Sequence, residues 1–350
     1  MPRVAVKGQA MVCVGIIGVG RWGPNLLRNF LSMDNVGVKT VCDIDTKRLA
    51  LIKKRFPTLA TTSEPTSLID DPEIECVVIC TPVSTHFSLA EHALQRGKHV
   101  FVEKPLAASS DECNRLIALA QNQQKILFVG HTFKFNAGIQ AAKHYIDSGE
   151  LGNIFFIDAN RTNLGPVRYD TNALWDLASH DISIFSYWLG CTPISVSASG
   201  GCYLNSTIED VVYATFIYPG NILAHVHASW LNPRKIREIT VVGTKKMLIW
   251  NDMSLTEPIR IYNRGFDKDD IYQDTFESFR LSIREGEVLI PSIKLNEPLL
   301  AECEHFIDCV ISGKKPLTDG IDGLQVVKAL EAATRSIHQN SSIILIDAEE

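Results

Sequence analysis

The first third of the chain alternates short apolar runs with amphipathic stretches. Residues 12–17 are apolar throughout and too few for a helix, so they read as a strand buried on both faces. After Pro24, Leu26, Leu27 and Phe30 fall on one face at helical spacing and predict a helix over 24–30. The same alternation predicts strands at 36–42, 75–80, 99–102 and 126–129, and helices at 46–55, 84–96 and 109–122. Pro57 ends the second of these helices and Gly97 the third, and Ser110 or Asp111 is expected to cap the fourth. Strands and helices alternating at this pace predict a doubly wound parallel sheet over residues 11–130.

The pattern changes after Gly130. Helices are expected at 135–147 and 174–189, with a strand at 154–159 between them. Strands then crowd together at 194–199, 210–218, 222–230, 236–242, 246–250 and 259–262, with Pro219-Gly220-Asn221 as a hairpin turn. A second hairpin is expected over 278–293, around Glu285-Gly286. Helices at 298–312 and 320–338 close the chain. Residues 131–350 therefore read as a second, α+β domain on a large, mainly antiparallel open sheet.

Composition narrows the function classes. The chain has 350 residues, 45% of them hydrophobic and 8% aromatic, enough for two full cores. Its formal charge is −6, from 34 basic against 40 acidic residues, with no basic run, which argues against nucleic acid or a membrane surface as main partner. No apolar run approaches a membrane span, and residues 1–10 lack the apolar core of a signal peptide, so a cytoplasmic protein with a short N-terminal extension is expected. Nine cysteines, with no CxxC pair, read as reduced thiols in apolar surroundings rather than as a zinc or disulfide framework.

The first strand ends in Gly18-Val19-Gly20-Arg21-Trp22-Gly23. Glycines at these positions allow a tight turn and close approach of a pyrophosphate to the following helix N-terminus. Asp43 ends the second strand, where a carboxylate bonds both ribose hydroxyls and repels a 2′-phosphate. NAD is therefore expected over NADP, although Arg21, Lys47 and Arg48 lie close enough in sequence to reach a phosphate. Thr81-Pro82 should edge the same groove, and His86 either touches the cofactor or faces solvent. Glu103-Lys104-Pro105 closes a later strand of the sheet. Ligands of open α/β sheets bind at such strand ends, which aims Lys104 at whatever lies beside the cofactor.

Asp176 and His180 share a helix face at a spacing of four. Oxidising a secondary alcohol sends a hydride to the nicotinamide and the hydroxyl proton to a base. Histidine suits the base, a lysine ammonium stabilises the developing alkoxide, and a carboxylate bonds a sugar hydroxyl or orients the imidazole. The plainer alternative is an N-capping Asp and a core His. Arg161 and Arg168 flank the preceding loop, either as diphosphate donors or as solvated surface. His225 and His227 share a strand face, but no third metal ligand is evident, and a sheet-face or subunit-interface role is the alternative. Phe133, Phe135 and Tyr145 read as core rather than as base-stacking platforms.

Together, Gly18-x-Gly20-x-x-Gly23, Glu103-Lys104-Pro105 and Asp176-x-x-x-His180-Asp181 resemble the glucose–fructose oxidoreductase / inositol dehydrogenase / rhizopine-catabolism family, from Val12 to about His338. The resemblance implies an N-terminal Rossmann domain and a C-terminal domain whose open sheet builds a homodimer or homotetramer interface. It carries the catalytic roles to Lys104, Asp176 and His180. Gly18, Gly20, Arg21, Trp22, Gly23, Asp43, Thr81, Pro82, His86, Glu103 and Lys104 are then expected to bind the cofactor. Lys104, Arg161, Asn163, Arg168, Asp176 and His180 are expected to bind substrate. Residues 20–26, 130–133, 160–165 and 224–230 are similar to a branch of UDP-sugar 3-dehydrogenases. That similarity implies oxidation of UDP-N-acetylglucosamine to its 3-keto sugar for lipid A or surface polysaccharide, with a pyridoxal-phosphate aminotransferase consuming the product. A dehydrogenase of another UDP-sugar, of free sugars or of inositol is the first alternative. A catalytically silent NAD-binding regulator is another.

Overall fold

In a computed structural model the described residues are 11–267 and 282–346. The first strands and helices are β1 (Val12–Ile17), α1 (Gly23–Ser32), β2 (Val36–Cys42), α2 (Thr46–Arg55), β3 (Ala60–Thr62), α3 (Pro65–Ile69), β4 (Cys76–Ile79), α4 (His86–Gln95), β5 (His99–Glu103), α5 (Ser110–Asn122) and β6 (Leu127–Gly130). The sheet is wholly parallel, in the order β3-β2-β1-β4-β5-β6. Two elements were not anticipated. Both β3 and α3 are too short for periodicity to mark them. The cap of α5 also differs from expectation: Ser109, not Ser110 or Asp111, accepts from the Glu112 amide.

The second half contains α6 (Ala137–Asp147), β7 (Ile154–Leu164), a π-helical turn Leu174–Ala178, α7 (Ser179–Leu189), β8 (Ser195–Gly201), β9 (Val211–Tyr218), β10 (Ile222–Ser229), β11 (Leu231–Gly243), β12 (Met247–Asn251) and β13 (Ile259–Tyr262). Then come β14 (Gly265–Asp267), β15 (Ser282–Arg284), β16 (Val288–Leu289), α8 (Pro298–Ser312), α9 (Gly320–His338) and β17 (Ile344–Leu345). Nine strands form one sheet, β16-β13-β12-β11-β7-β10-β9-β8-β17, parallel only between β7 and β10. The Pro219–Asn221 hairpin joins β9 to β10 as expected. The hairpin expected over 278–293 does not form among the described residues. Instead β15 pairs with β14 and β16 with β13, while 278–281 lie outside the described residues.

By its internal contacts the chain forms two units. The first holds the described residues up to Phe135 together with Asn296–Lys328, and the second holds Asn136–Leu295 and the residues from Ala329 onward. The segment carrying α8, which the pattern assigned to the second domain, thus folds with the first. The reason is its apolar face. Leu299, Cys303, Phe306 and Ile307 are buried with Leu26, Leu27 and Phe30 of α1 and with Phe101 and Phe128 of the sheet. Phe306 meets Phe101 and Phe128 edge-on, at 5.6 and 5.5 Å between ring centroids, and Phe101 stacks on Phe128 at 4.9 Å. Rings of this size dominate core energetics, and each such pair adds about 0.5–1.5 kcal/mol beyond burial.

In the second unit, one face of the nine-stranded sheet is buried through Ile157, Ala159, Val226 and Ile239. The other face displays Phe156, Asp158, Tyr213, Thr215, Leu223, His225 and Thr240, several of them well exposed. Alternation along each strand produces this division, because successive side chains point to opposite faces.

Candidate active site

The glycine loop of the first unit is built for close approach. Gly18 sits at φ +93°, and a Cβ there would lie 2.7 Å from the Cys80 carbonyl oxygen; at Gly23 it would lie 2.0 Å from that of Gly18. Neither position tolerates a side chain, so β1 turns sharply into α1. The first turn of α1 has no side-chain cap and no acidic residue, and although Pro24 carries no amide hydrogen and the Asn25 amide donates to the Trp22 carbonyl, its positive end suits an anion. These features fit a dinucleotide pyrophosphate.

Asp43 is buried at the end of β2, and its carboxylate braces the loop. Oδ2 accepts from the Val19 amide at 2.8 Å and Oδ1 from the Asp45 amide at 2.8 Å. Arg48 Nη1 lies 3.6 Å from Asp43 Oδ2. Arg21 and Trp22 are exposed on the same loop. Thr81 and Pro82 follow β4 as expected, and the Thr85 hydroxyl donates to Thr81 Oγ1 at 2.7 Å.

His86 does not face solvent. It is 1% exposed, with Nδ1 2.8 Å from the Pro105 carbonyl and Nε2 2.9 Å from the Thr81 carbonyl. It thus ties the turn after β4 to the residue following Lys104. Glu103 ends β5, half-buried as a residue but with Oε1 closed off from solvent. Burial pushes its carboxyl up to about 7, against the opposing pull of the Lys104 charge, the Lys104 amide and the Trp22 side chain.

In the second unit Asp176 lies in the π-helical turn and His180 in the first turn of α7. A helix closing from residue i to i+5 is wider than an α-helix and is frequent at functional sites. A spacing of four still returns to nearly the same side of it. Two groups anchor the Asp176 carboxylate: Arg168 Nη1 donates to Oδ1 at 3.1 Å, and Trp230 Nε1 to Oδ2 at 3.3 Å. Arg168 also donates to both oxygens of Asp170, at 3.0 and 2.6 Å, and that carboxylate chiefly raises the guanidinium's affinity for its proton. The Asn163 amide donates to the Gly165 carbonyl and shapes the loop carrying Arg168.

Arg161 departs from its expected role. Its side chain is 3% exposed and forks onto Asp181, Nε to Oδ2 at 2.8 Å and Nη2 to Oδ1 at 2.7 Å. A guanidinium so enclosed is a structural partner of α7 rather than a diphosphate donor. His227 is likewise occupied on the sheet face: Tyr213 stacks on it at 4.4 Å and Asn160 Oδ1 lies 3.3 Å from Nδ1. Among the described residues no cluster of three or more His, Cys, Asp or Glu side chains is arranged to hold a metal ion. Sequence reasoning missed Trp230, Asp170 and Asp181, and only the Asp176-to-Asp181 run hinted that a second carboxylate belonged near the first.

The N-terminal part, residues 12–131, matches the model of the oxidoreductase family with an NAD-binding Rossmann fold, and residues 139–249 match the GFO/IDH/MocA C-terminal domain. Scyllo-inositol 2-dehydrogenase (NAD(+)) of Bacillus subtilis is 28% identical over 96% of this chain and 97% of its own length. UDP-N-acetylglucosamine 3-dehydrogenase of Acidithiobacillus ferrooxidans is 26% identical over 90% of this chain and 94% of its own. The solved structure of UDP-N-acetylglucosamine 3-dehydrogenase GnnA from Acidithiobacillus ferrooxidans shares the fold, with a TM-score of 0.80 at 23% identity, covering 95% of this chain and all of that one. No helix among the described residues is long and apolar enough to cross a membrane.

Proposed function

The chain belongs to the GFO/IDH/MocA oxidoreductase family, and on that premise we propose that it oxidises a ring hydroxyl of a sugar nucleotide, the C3 hydroxyl of UDP-N-acetylglucosamine, with NAD. Its N-terminal domain is an NAD-binding Rossmann domain. When bound, NAD supplies the hydride acceptor. His180 takes the hydroxyl proton as the C–H bond delivers its hydride, Lys104 stabilises the charge growing on that oxygen, and Asp176 accepts a hydrogen bond from a neighbouring hydroxyl. The product is a keto sugar.

The observation that carries this reading is the anchoring of Asp176. Two donors from separate segments, Arg168 and Trp230, hold its carboxylate oriented one helical turn before His180. A carboxylate kept in place before substrate arrives loses little freedom on binding. Arg168, partly exposed, is the remaining candidate for the diphosphate. A diphosphate would give remote binding energy to hold the pyranose in reacting geometry. The keto product suits a pyridoxal-phosphate aminotransferase as functional partner. Association through the open sheet face at Phe156, Tyr213 and Leu223 would give a homo-oligomer.

A second reading is a dehydrogenase of free cyclic polyols. It is favoured by the enclosure of Arg161, which removes one of two expected diphosphate donors, and by the inositol dehydrogenase relative. NADH formation across a panel of UDP-sugars, free N-acetyl sugars and inositols separates the two. Comparable rates with N-acetylglucosamine lacking UDP would replace the nucleotide reading with the polyol one. NADH formed with UDP-N-acetylglucosamine alone, and a keto group located at C3 by mass spectrometry, would support the first.

A further inference from the structure

Within the second unit, the turn that carries Asp176 is held from outside. The first amides of a helix lack intrahelical partners, and π-helical turns are rare, so this one depends on what surrounds it. Asn172 closes its start twice. The Asn172 carbonyl accepts from the Asp176 amide at 3.0 Å, and its side-chain Oδ1 accepts from the Trp175 amide at 3.0 Å. A carboxamide does the second only one way round, because turned over it sets its NH2 against an N–H. Glu209 fixes that choice. Its Oε2 accepts from Asn172 Nδ2 at 2.7 Å, and its backbone carbonyl accepts from the Ala173 amide at 2.9 Å. Glu209 is 7% exposed and packs against Gly200, where a Cβ would lie 2.7 Å from its Cγ. Its Oε1 lies 3.8 Å from Nε2 of the exposed His338. The adjoining Asp210 carbonyl accepts from the Trp230 amide at 3.0 Å. Glu209-Asp210 therefore supports both sides of the Asp176 carboxylate: the turn that carries it and the indole that donates to it.

We propose that Glu209 is a positioning residue that fixes the Asn172 carboxamide and, through it, the π-helical turn holding Asp176 ahead of His180. What the turn requires at position 209 is an acceptor facing Asn172 Nδ2. Without it the carboxamide is free to rotate, the Trp175 amide loses its partner in part of the population, and Asp176 has to be ordered when substrate binds. The proposal deepens the role given to Asp176, and its kinetic consequence rests on that role, but the positioning itself is measurable without substrate.

The Trp230 indole reports on the Asp176 carboxylate. In proton–nitrogen correlation spectra of the full chain without substrate, its resonance is identified by its loss in Trp230→Phe. Glu209→Ala should move it upfield as its bond to Asp176 loosens. Asn172→Ala, which leaves Glu209 and Asp210 unchanged, should move it the same way. The Trp188 indole, which donates to the Ile139 carbonyl, should stay in place and mark an intact fold. In kinetics with UDP-N-acetylglucosamine, Glu209→Ala should lower kcat/KM about tenfold with KM for NAD unchanged. Glu209→Gln keeps an acceptor oxygen and should retain most of the rate. Asn172→Asp sets a second carboxylate against Glu209 and should cost at least as much. Adding Glu209→Gln, whose amide donates back, should restore both turnover and the indole resonance. A Trp230 resonance that stays put in folded Glu209→Ala overturns the proposal. So does a double variant no better than Asn172→Asp alone, and that comparison decides if Glu209→Ala does not fold. Absence of turnover of UDP-N-acetylglucosamine by the unmodified protein would instead refute the substrate reading, while the indole resonance still decides the role of Glu209.

Discussion

Arg161 and Asp181 face each other inside the second unit, both side chains at most 3% exposed and joined by two hydrogen bonds of 2.8 and 2.7 Å. The pair links β7 to α7, the helix that carries His180. Removing one member leaves the other buried and charged. Arg161→Ala should therefore destabilise the protein by about 3–5 kcal/mol, read by urea unfolding, rather than raise KM for a UDP-sugar selectively. A stable variant with a large, substrate-specific KM change would return Arg161 to the substrate site. Arg161→Met combined with Asp181→Leu should recover much of the loss, since the buried charge is gone.

Catalytic roles are tested by truncation. His180→Ala should lower turnover by about 10²-fold or more, and Lys104→Met at least as much, while NAD affinity changes little. Trp230→Phe keeps the ring but removes the donor to Asp176 Oδ2, and should cost about tenfold in kcat/KM. Steady-state kinetics with NAD titrated by fluorescence checks all three, and near-normal turnover in His180→Ala or Lys104→Met would remove that residue from the chemistry.

Cofactor choice turns on Asp43. NAD should bind more tightly than NADP, and Asp43→Ser should narrow the gap by removing repulsion of a 2′-phosphate. Because Asp43 also accepts from Val19 and Asp45, NAD affinity should fall in the same variant. Arg48, 3.6 Å from that carboxylate, should then support the gained NADP binding, so that adding Arg48→Ala abolishes it. Equal NAD and NADP affinities in the unmodified protein would count against the role of Asp43.

Stability should carry the mark of the buried carboxyls. The ordinary Glu302 value is near 4.5 and the folded one lies well above it. Between those values the native state binds more protons than the unfolded state, so this group's contribution falls as pH rises. Relative to the unmodified protein, Glu302→Gln should gain stability progressively above about pH 4.5. Parallel pH–stability curves for the two proteins would show that Glu302 titrates normally.

Assembly through the open sheet face predicts that Leu223→Arg yields a smaller species by light scattering. Phe156 and Leu223 are opposed in register and roughly 40% exposed on that face. An unchanged mass would move the interface elsewhere.

Local features were legible in the chain because each is written in consecutive residues. The turn from β1 to α1 needs Gly18 and Gly23 in place, the apolar strands announce themselves by length, Asp43 and Lys104 stand at strand ends that periodicity locates, and Asp176 and His180 share a helix face by their spacing. Partners were not legible, because burial and long-range packing choose them. Arg161 reads the same in sequence whether it faces water or Asp181. His86 reads as a first-turn residue that faces either cofactor or solvent until two carbonyls close on it. The π-helical turn under Asp176 leaves the apolar pattern of residues 174–189 unchanged. Glu302 sits in an apolar helix whose destination, the first sheet rather than the second, is decided by which core its Phe306 face can complete. Its side chain meets the Thr132 hydroxyl only after that choice, and the burial that raises its carboxyl exists only in the folded chain.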